Sequence, residues 1–516
     1  MAPEPLQQTL IDSLESDALN NVRKYVPRHI LDAIVTRQRV GAALKKSKFL
    51  SLPTKSIVDV VFSHNLKLVF VILLCLGIPW DIKKLHEAGF TDQDLPLERT
   101  KTEGGGDCLQ SGLDPKRHFV PPKKWAHGYQ AENFVNKQWL VMAPVFGSMG
   151  EYQKLHPLNP LPLIEAESLI HNAANVIWRA KIQSSHQTGS KVRENSSGST
   201  SGSVLTCRGY QAQFPSMDVA IKEFRFRKDF DQERSNLSTL RTLPSTKHIA
   251  QSLAAFSQGN RDYIISPWAE GGDLDQFWQT HGGATRTSEL ALWSLDQMLG
   301  LAKALYALHA ELGDAGNCRH GDLKPGNILH FMEGKEEGDL GILKITDFGI
   351  SRIHLGITLV REGPTLTRAT SPSYEAPEAV TSKDPRSRKY DIWSIGCIFL
   401  EFVVWLIQDW DAVENFGNAR KSTWAHADGA VPSHFYRIDK DNAIVHPEVS
   451  KVIQTLRRMP QSAPNTALGK LLGIIKDDLI KIDPIDRTDA KGLCEQLEGI
   501  VSKANSDPGY LWNSGY

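Results

Sequence analysis

Apolar and polar positions follow two rhythms along this chain. From Leu6 to Leu44 the apolar residues recur with helical spacing, and the strongest apolar run, "LVFVILLCLGI", spans Leu68 to Ile78 between Lys67 and Pro79. As a helix, a run of about eleven residues rises only about 16 Å, too short for a hydrocarbon core of about 30 Å. The run is therefore expected as a buried core helix, and no membrane span is expected. Pro79 would open a second helix, "WDIKKLHEA", which Gly89 closes. These segments predict a helical N-terminal domain over residues 1–110, with "TEGGGD" as a loop near its end.

Residues 111–164 form a connecting segment rich in Pro, Trp and Phe, with "KQWLVMAPVF" as one strand-like piece. Residues 183–218 hold "SSHQTGSKVRENSSGSTSGS", a Ser/Gly-rich stretch that cannot bury enough surface to order itself, and a flexible insertion is expected there. Strand alternation is visible in "VIWRAKI", "DVAIKEF" and "LKITDFGISR". Helical patterns occupy "FDQERSNLSTL" and "YDIWSIGCIFLEF". No repeat period is visible.

Composition narrows the function classes. Hydrophobic residues make up 41% of the 516 positions, and Lys+Arg equals Asp+Glu at 59 each. A chain without net charge has no field to hold a polyanion, so neither nucleic acid nor an anionic membrane is expected as a partner. The six cysteines form no CxxC pair, which predicts reduced core thiols. The N-terminal "MAPEPLQQTLIDSLESD" has neither a basic start nor an apolar stretch, so a cytoplasmic or nuclear protein is expected.

Candidate chemistry begins at "RHGDLKPGNIL", residues 319–329, which sets Asp322, Lys324 and Asn327 at close spacing. Further on, the strand pattern of "LKITDFGISR" delivers Asp347 to a loop. Two acidic groups and an amide presented together suit a magnesium-nucleotide site, because hard oxygen ligands bridge the metal to phosphates. "YEAPEA" contains Ala376, Pro377 and Glu378. Upstream, "DVAIKEF" carries Lys222 between apolar neighbours, and the helical pattern after it carries Glu233.

In this order the five pieces resemble the eukaryotic protein-kinase superfamily, with its strand lysine, helix glutamate, catalytic loop, DFG and APE segments. Flanking stretches such as "SPWAEGGDLDQFW" look like serine/threonine kinases of filamentous fungi. The resemblance covers residues 165–505. It implies an α+β bilobal kinase fold, with an antiparallel-sheet N-lobe and a mainly helical C-lobe, behind the helical N-terminal domain. It also implies ATP and Mg2+ as cofactors and proteins as substrates, and the N-terminal domain is expected to bind another protein.

Roles come with the resemblance. Asp322 would accept the substrate hydroxyl proton and Lys324 would neutralise the migrating phosphoryl group, while Asn327 and Asp347 would hold two magnesium ions. Lys222 would clamp the α/β-phosphates and pair with Glu233. Ala220 and Leu329 would sandwich the adenine, beside a hinge containing Trp268 and Ala269, with Ser266 as gatekeeper. His320, Phe348 and Leu237 would stack behind the site. Arg487 would pair with Glu378, and Ser371 would bond the catalytic Asp and Lys.

Two departures stand out. The family's HRD reads His320-Gly321-Asp322, so the arginine that would bind an activation-loop phosphate is missing. The glycine-rich phosphate loop has two placements: "GSTSGSV", residues 198–204, or "IHNAANVIWRAKI", residues 170–182, in which Asn172 and Asn175 replace glycines and Ile177 replaces a valine. The second placement is preferred, because its flanks alternate as strands. A serine/threonine protein kinase is the function expected. The alternative is a pseudokinase or signalling scaffold, which the intact polar set disfavours and the poor phosphate loop favours.

Overall fold

The computed structural model describes residues 5–45, 54–101, 107–120, 125, 129–147, 151–171, 174–187, 216–245, 247–312, 316–332, 339–349, 352–354, 372–421, 433–440 and 442–511. They divide into two compact units. The first holds residues 1–225 and 252–267, and the second holds 226–251 and 268–516.

The first unit opens with helix α1 (Leu6–Asp12), a hairpin of β1 (Glu15–Asp17) and β2 (Asn20–Tyr25), and helices α2 (Arg28–Ile34), α3 (Arg37–Lys45) and α4 (Thr54–Ser63). The expected core helix is α5 (Lys67–Cys75), with every side chain from Val69 to Leu74 buried. Its free N-terminal amides are met by Asp92, whose carboxylate accepts from the Leu68 and Val69 N–H groups at 3.1 and 3.0 Å. Pro79 opens a single 3-10 turn before α6 (Ile82–Glu87), which ends at Gly89 with φ +79°. That glycine sits where a side chain would be strained.

The first unit departs from the expected pattern in three places, two of them within residues 1–110. The stretch around residue 17 is a hairpin because the fully buried Asp17 carboxylate accepts from the N–H groups of Leu19 (3.0 Å), Asn20 (3.2 Å) and Leu161 (3.0 Å). Such local bonds offer the backbone an alternative to helix. Strands β3 (Leu97–Lys101), β4 (Asp107–Ser111) and β5 (His118–Phe119) make a small antiparallel sheet, with Leu97, Leu109 and Phe119 in the same core as the helices. Lastly, "KQWLVMAPVF" is not a strand. Helix α7 (Gln130–Lys137) runs into a 3-10 turn at Gln138–Val141. The buried Gln138 amide takes the Leu97 N–H at 2.7 Å and donates to the Leu97 carbonyl at 2.8 Å, and Trp139 stacks on His156 at 4.3 Å. Tertiary partners thus override the local pattern.

A six-stranded sheet completes this unit, in the order β6 (Tyr152–Leu155), β10 (Ala254–Gln258), β11 (Arg261–Pro267), β9 (Met217–Phe224), β8 (Asn175–Ile182), β7 (Leu163–His171). Only β6 runs parallel to its neighbour. Val219, Ile221, Ala254, Phe256 and Ile265 fill one side of it.

The second unit is mainly helical. Its long members are α8 (Arg227–Leu240), α9 (Leu274–Thr280), α10 (Ser288–Ala310), α11 (Lys389–Ile407) and α12 (Ala490–Ser506), with α10 packed along α12. Helix α11 is long and apolar enough to cross a membrane, but its side chains from Tyr390 to Leu406 are buried in this unit's own core. Two short pairings shape the site: β12 (Asn317–Arg319) with β15 (Arg352–His354), and β13 (Ile328–Phe331) with β14 (Ile342–Ile345). Cys108, Cys318, Cys397 and Cys494 are buried free thiols, Cys75 is half-buried, and Cys207 lies outside the described residues.

Candidate active site

In the second unit, β13 and β14 form a hairpin that carries Asn327 at one open end and Thr346-Asp347 at the other. The Thr346 N–H donates to the Asn327 carbonyl at 2.9 Å, tying the two ends together. Just upstream, Lys324 Nζ lies 3.0 Å from Asp322 Oδ2. Asn327 Nδ2 donates to the Asp322 carbonyl at 2.8 Å and to its Oδ2 at 3.1 Å. Asp322, Lys324 and Asn327 therefore form one hydrogen-bonded group.

What holds this loop is a residue that the sequence did not single out chemically. Asp391, in the first turn of α11, is fully buried. It accepts from the His320 N–H (2.9 Å), the Gly321 N–H (2.8 Å) and His309 Nε2 (2.9 Å). Burial alone would raise its pKa, but the His309 hydrogen bond and the His309, His320 and Arg319 charges outweigh burial and hold it below the usual carboxylate value. His320 also contacts the Thr346 carbonyl through Nε2 at 2.9 Å, and its ring meets Phe348 edge-on at 5.2 Å.

The missing arginine has a backbone explanation. Gly321 sits at φ +85°, in the left-handed region, where an arginine would be strained. Arg319 does not replace it. Its buried guanidinium lies over Tyr390 at 5.7 Å and donates to the Arg386 carbonyl at 2.6 Å.

Asp347 has φ +61°, a left-handed conformation uncommon for a non-glycine residue and a mark of a functional constraint. Beside it, the Phe348 carbonyl accepts from Asn236 of α8 at 2.7 Å. A Cβ at Gly349 would come within 2.9 Å of Glu233 Oε2, so Glu233 points at the DFG turn. Asp275, on α9, has its pKa pushed up to about 7 by burial first and then by the Glu401 and Asp273 charges, with Lys324 opposing. The chain after β11 is laced to β13 by Gly271 N–H to His330 O (3.1 Å) and His330 N–H to Gly272 O (2.8 Å). A Cβ at Gly271 would strike His330 Nδ1 at 1.8 Å. Ala269 and Leu329 share one small apolar cluster with Phe331 and Ile342, while Trp268 is half-buried beside them in sequence.

In the first unit, Lys222 lies in β9 opposite Ile177 of β8 and Ile264 of β11, with Nζ over the Phe224 ring at 5.3 Å. Ala220 is opposite Ser266. Asn175 opens β8 opposite Phe224. The β7–β8 hairpin is thus the edge next to the lysine strand, as the placement at residues 170–182 requires. Asn172, the competing 198–204 stretch and Ser371 lie outside the described residues. Glu378 and Arg487 form a bidentate pair, with both contacts at 2.7 Å and the guanidinium fully buried.

The comparisons agree with this geometry. Residues 197–423 match the protein kinase domain family, and over that stretch the chain is similar to the eukaryotic protein-kinase superfamily. Among its relatives, serine/threonine-protein kinase 12 of Arabidopsis thaliana is 25% identical over 330 residues, 62% of this chain and 64% of that protein. The Caenorhabditis elegans serine/threonine-protein kinase nekl-2 is 30% identical over 179 residues, covering 33% and 45% of the two chains. The sporulation-specific mitogen-activated protein kinase SMK1 of Saccharomyces cerevisiae is 42% identical over 87 residues, covering 16% and 21%. The chain spans less than two thirds of the length of each. The family match begins at residue 197, beyond β7 and β8, so it leaves the phosphate-loop assignment to the hydrogen bonding of the sheet.

Proposed function

We propose that this protein is a serine/threonine protein kinase that transfers the γ-phosphate of ATP to protein hydroxyl groups. The observation that carries this reading is the bonded group of Asp322, Lys324 and Asn327, anchored by the buried Asp391 and tied through the Asn327 carbonyl to Thr346, next to Asp347. Asp322 orients and accepts the proton of the incoming hydroxyl, and Lys324 offsets charge on the moving phosphoryl group. Lys222 holds the α- and β-phosphates. In the first unit Ala220, Ile177 and Asn175 are assigned nucleotide contacts, in the second Leu329, Trp268 and Ala269 are, and Glu233 keeps α8 beside the DFG turn.

The residues present fit a divalent cation. Both hydrogens of the Asn327 amide are spent on Asp322, which leaves its Oδ1 as a hard oxygen donor to pair with the Asp347 carboxylate. Magnesium bound there would neutralise charge on the β- and γ-phosphates. We assign to the N-terminal 110 residues the binding of a second protein, and to the whole protein a cytoplasmic or nuclear location. A non-catalytic scaffold is disfavoured by the complete polar set and by relatives named as serine/threonine kinases.

Incubation of the full chain with labelled ATP and a generic protein substrate tests the reading. Phosphoserine and phosphothreonine are expected, and Asp347→Ala should abolish them. Label persisting in that variant, or phosphotyrosine as the main product, would reject it.

A further inference from the structure

The N-terminal part of the first unit contains a cavity of about 360 Å³ between α2, α5 and the stretch 141–145. Its walls set the apolar side chains of Val26, Leu31, Val35, Val71 and Val141 beside Arg28, Asp32, Lys67, Asp92 and His186. We infer that this cavity binds a small amphiphile with an apolar body and one carboxylate, seated against Arg28. The volume lies in the range of small-molecule sites, which are mostly apolar with a few placed polar groups.

The polar groups on the wall single out where the head group goes. His186 is committed on both ring nitrogens: one contacts the Pro144 carbonyl at 2.8 Å and the other accepts the Arg28 backbone N–H at 3.0 Å. Asp92 is spent on the Leu68 and Val69 amides. Lys67 Nζ lies 3.9 Å from Asp32, a loose pair with both side chains in water. The Arg28 guanidinium, at the exposed start of α2, has no carboxylate within 4.0 Å among the described residues. A planar guanidinium beside an apolar slot matches a carboxylate in two-pronged fashion. A cationic head would meet Arg28 and Lys67, and the two carboxylates on the wall, Asp32 and Asp92, are already engaged by Lys67 and by the Leu68 and Val69 amides.

The occupant would also bear on the sheet, because His186 belongs to the turn that directly follows β8. The inference does not depend on the kinase reading, since it concerns other residues and is read by binding alone.

Decanoate is the probe, titrated into the full chain by calorimetry, with decanol and decylamine as neutral and cationic analogues. Saturable one-to-one binding of decanoate is expected, at least tenfold tighter than decanol, with no saturable binding of decylamine. Arg28→Glu, a surface change, should weaken decanoate at least tenfold. Val145→Phe should block decanoate and decanol alike by filling the slot, with folding checked by circular dichroism. Absence of saturable decanoate binding overturns the inference. So do equal affinities for decanoate and decanol, equal binding of decylamine, or an Arg28→Glu variant that binds as wild type does.

Discussion

Two buried aspartates perform the same task in the two units, on opposite electrostatic terms. Asp391 locks the loop that carries Asp322, and Asp17 locks the β1–β2 hairpin to the chain just before β7. Each is fully buried and accepts three hydrogen bonds. Asp391 lies among His309, His320 and Arg319, and its pKa is lowered despite burial. Around Asp17, burial comes first and wins over three backbone N–H groups and the distant Arg23, so its pKa is raised. A hydrogen-bond count alone would rank these anchors as equals. Their surroundings rank them differently, because a buried charge is cheap only where other charges compensate it.

Removing the two anchors should show this inequality most strongly. Asp391→Ala strands two backbone N–H groups and His309 in a dry core, and at about 1–3 kcal/mol for each unsatisfied donor the loss is about 4–6 kcal/mol. Asp17→Ala breaks as many bonds but also removes a poorly compensated charge, so about 2–3 kcal/mol is expected. Denaturant midpoints of the two variants measure the difference. Equal losses would mean that the charges around Asp391 add nothing.

The second unit has another buried ionic tie to set beside these. Arg487 donates to both Glu378 oxygens and to the carbonyls of Lys481, Lys389 and Ile482. Arg487→Ala leaves Glu378 without its partner and should cost about 3–5 kcal/mol, seen as a sharp fall in melting temperature. An unchanged melting temperature would show the pair to be replaceable by solvent.

Acid should separate the units next. Burial pulls His186 from its ordinary 6.5 down to about 4. A group whose folded pKa is depressed contributes stability that is complete above the unfolded value and is lost as pH falls toward the folded one. The His186 contribution should therefore be lost between pH 6.5 and about 4, by about 3 kcal/mol, while Asp92, whose pKa burial raises to about 6, regains stability on protonation over part of the same range and offsets it elsewhere in the unit. The depressed pKa of Asp391 has the same sign, but its window lies below 3.8. Hydrogen exchange between pH 7 and 4.5, corrected for intrinsic rates, should show residues 183–187 losing protection before residues 318–325. Simultaneous loss would remove the distinction.

Legibility in the sequence follows the same divide. The second unit's chemistry could be seen in "RHGDLKPGNIL" and "LKITDFGISR" because phosphoryl transfer calls for particular charged and amide side chains at close spacing, which a local window contains. Asp391 stood in plain view in "YDIWS", but a carboxylate beginning an apolar helix looks like an ordinary first-turn residue. The first unit misled where long-range partners decide the backbone. Leu14, Ala18 and Val22 keep a helical rhythm, yet Asp17 reaches to Leu161 and bends the chain into a hairpin. Gln138 bonds the Leu97 backbone and turns an apolar, strand-like stretch into a helical turn. Neither partner is near in sequence, so no local window contains the cause.

The smallest expected effect tests the least legible element, the phosphate loop on the β7–β8 edge. Asn175 opens β8 opposite Phe224, and Ile177 two residues on faces Lys222 across the pairing. Backbone amides can close over phosphates where glycine permits near approach, and a β-carbon obstructs it. If residues 170–182 form the phosphate loop, asparagines at 172 and 175 should leave the γ-phosphate loosely held and the chemistry slow. Replacing both by glycine should raise turnover with magnesium-ATP severalfold, about 1 kcal/mol of transition-state stabilisation. The same pair of changes with Lys222→Ala should give nothing, because a better cradle cannot act without the lysine that clamps the phosphates. No gain from the glycines, with a large loss on Gly202→Val, would move the loop to residues 198–204, where the family match begins. The β7–β8 edge would then be a purely structural flank of the lysine strand.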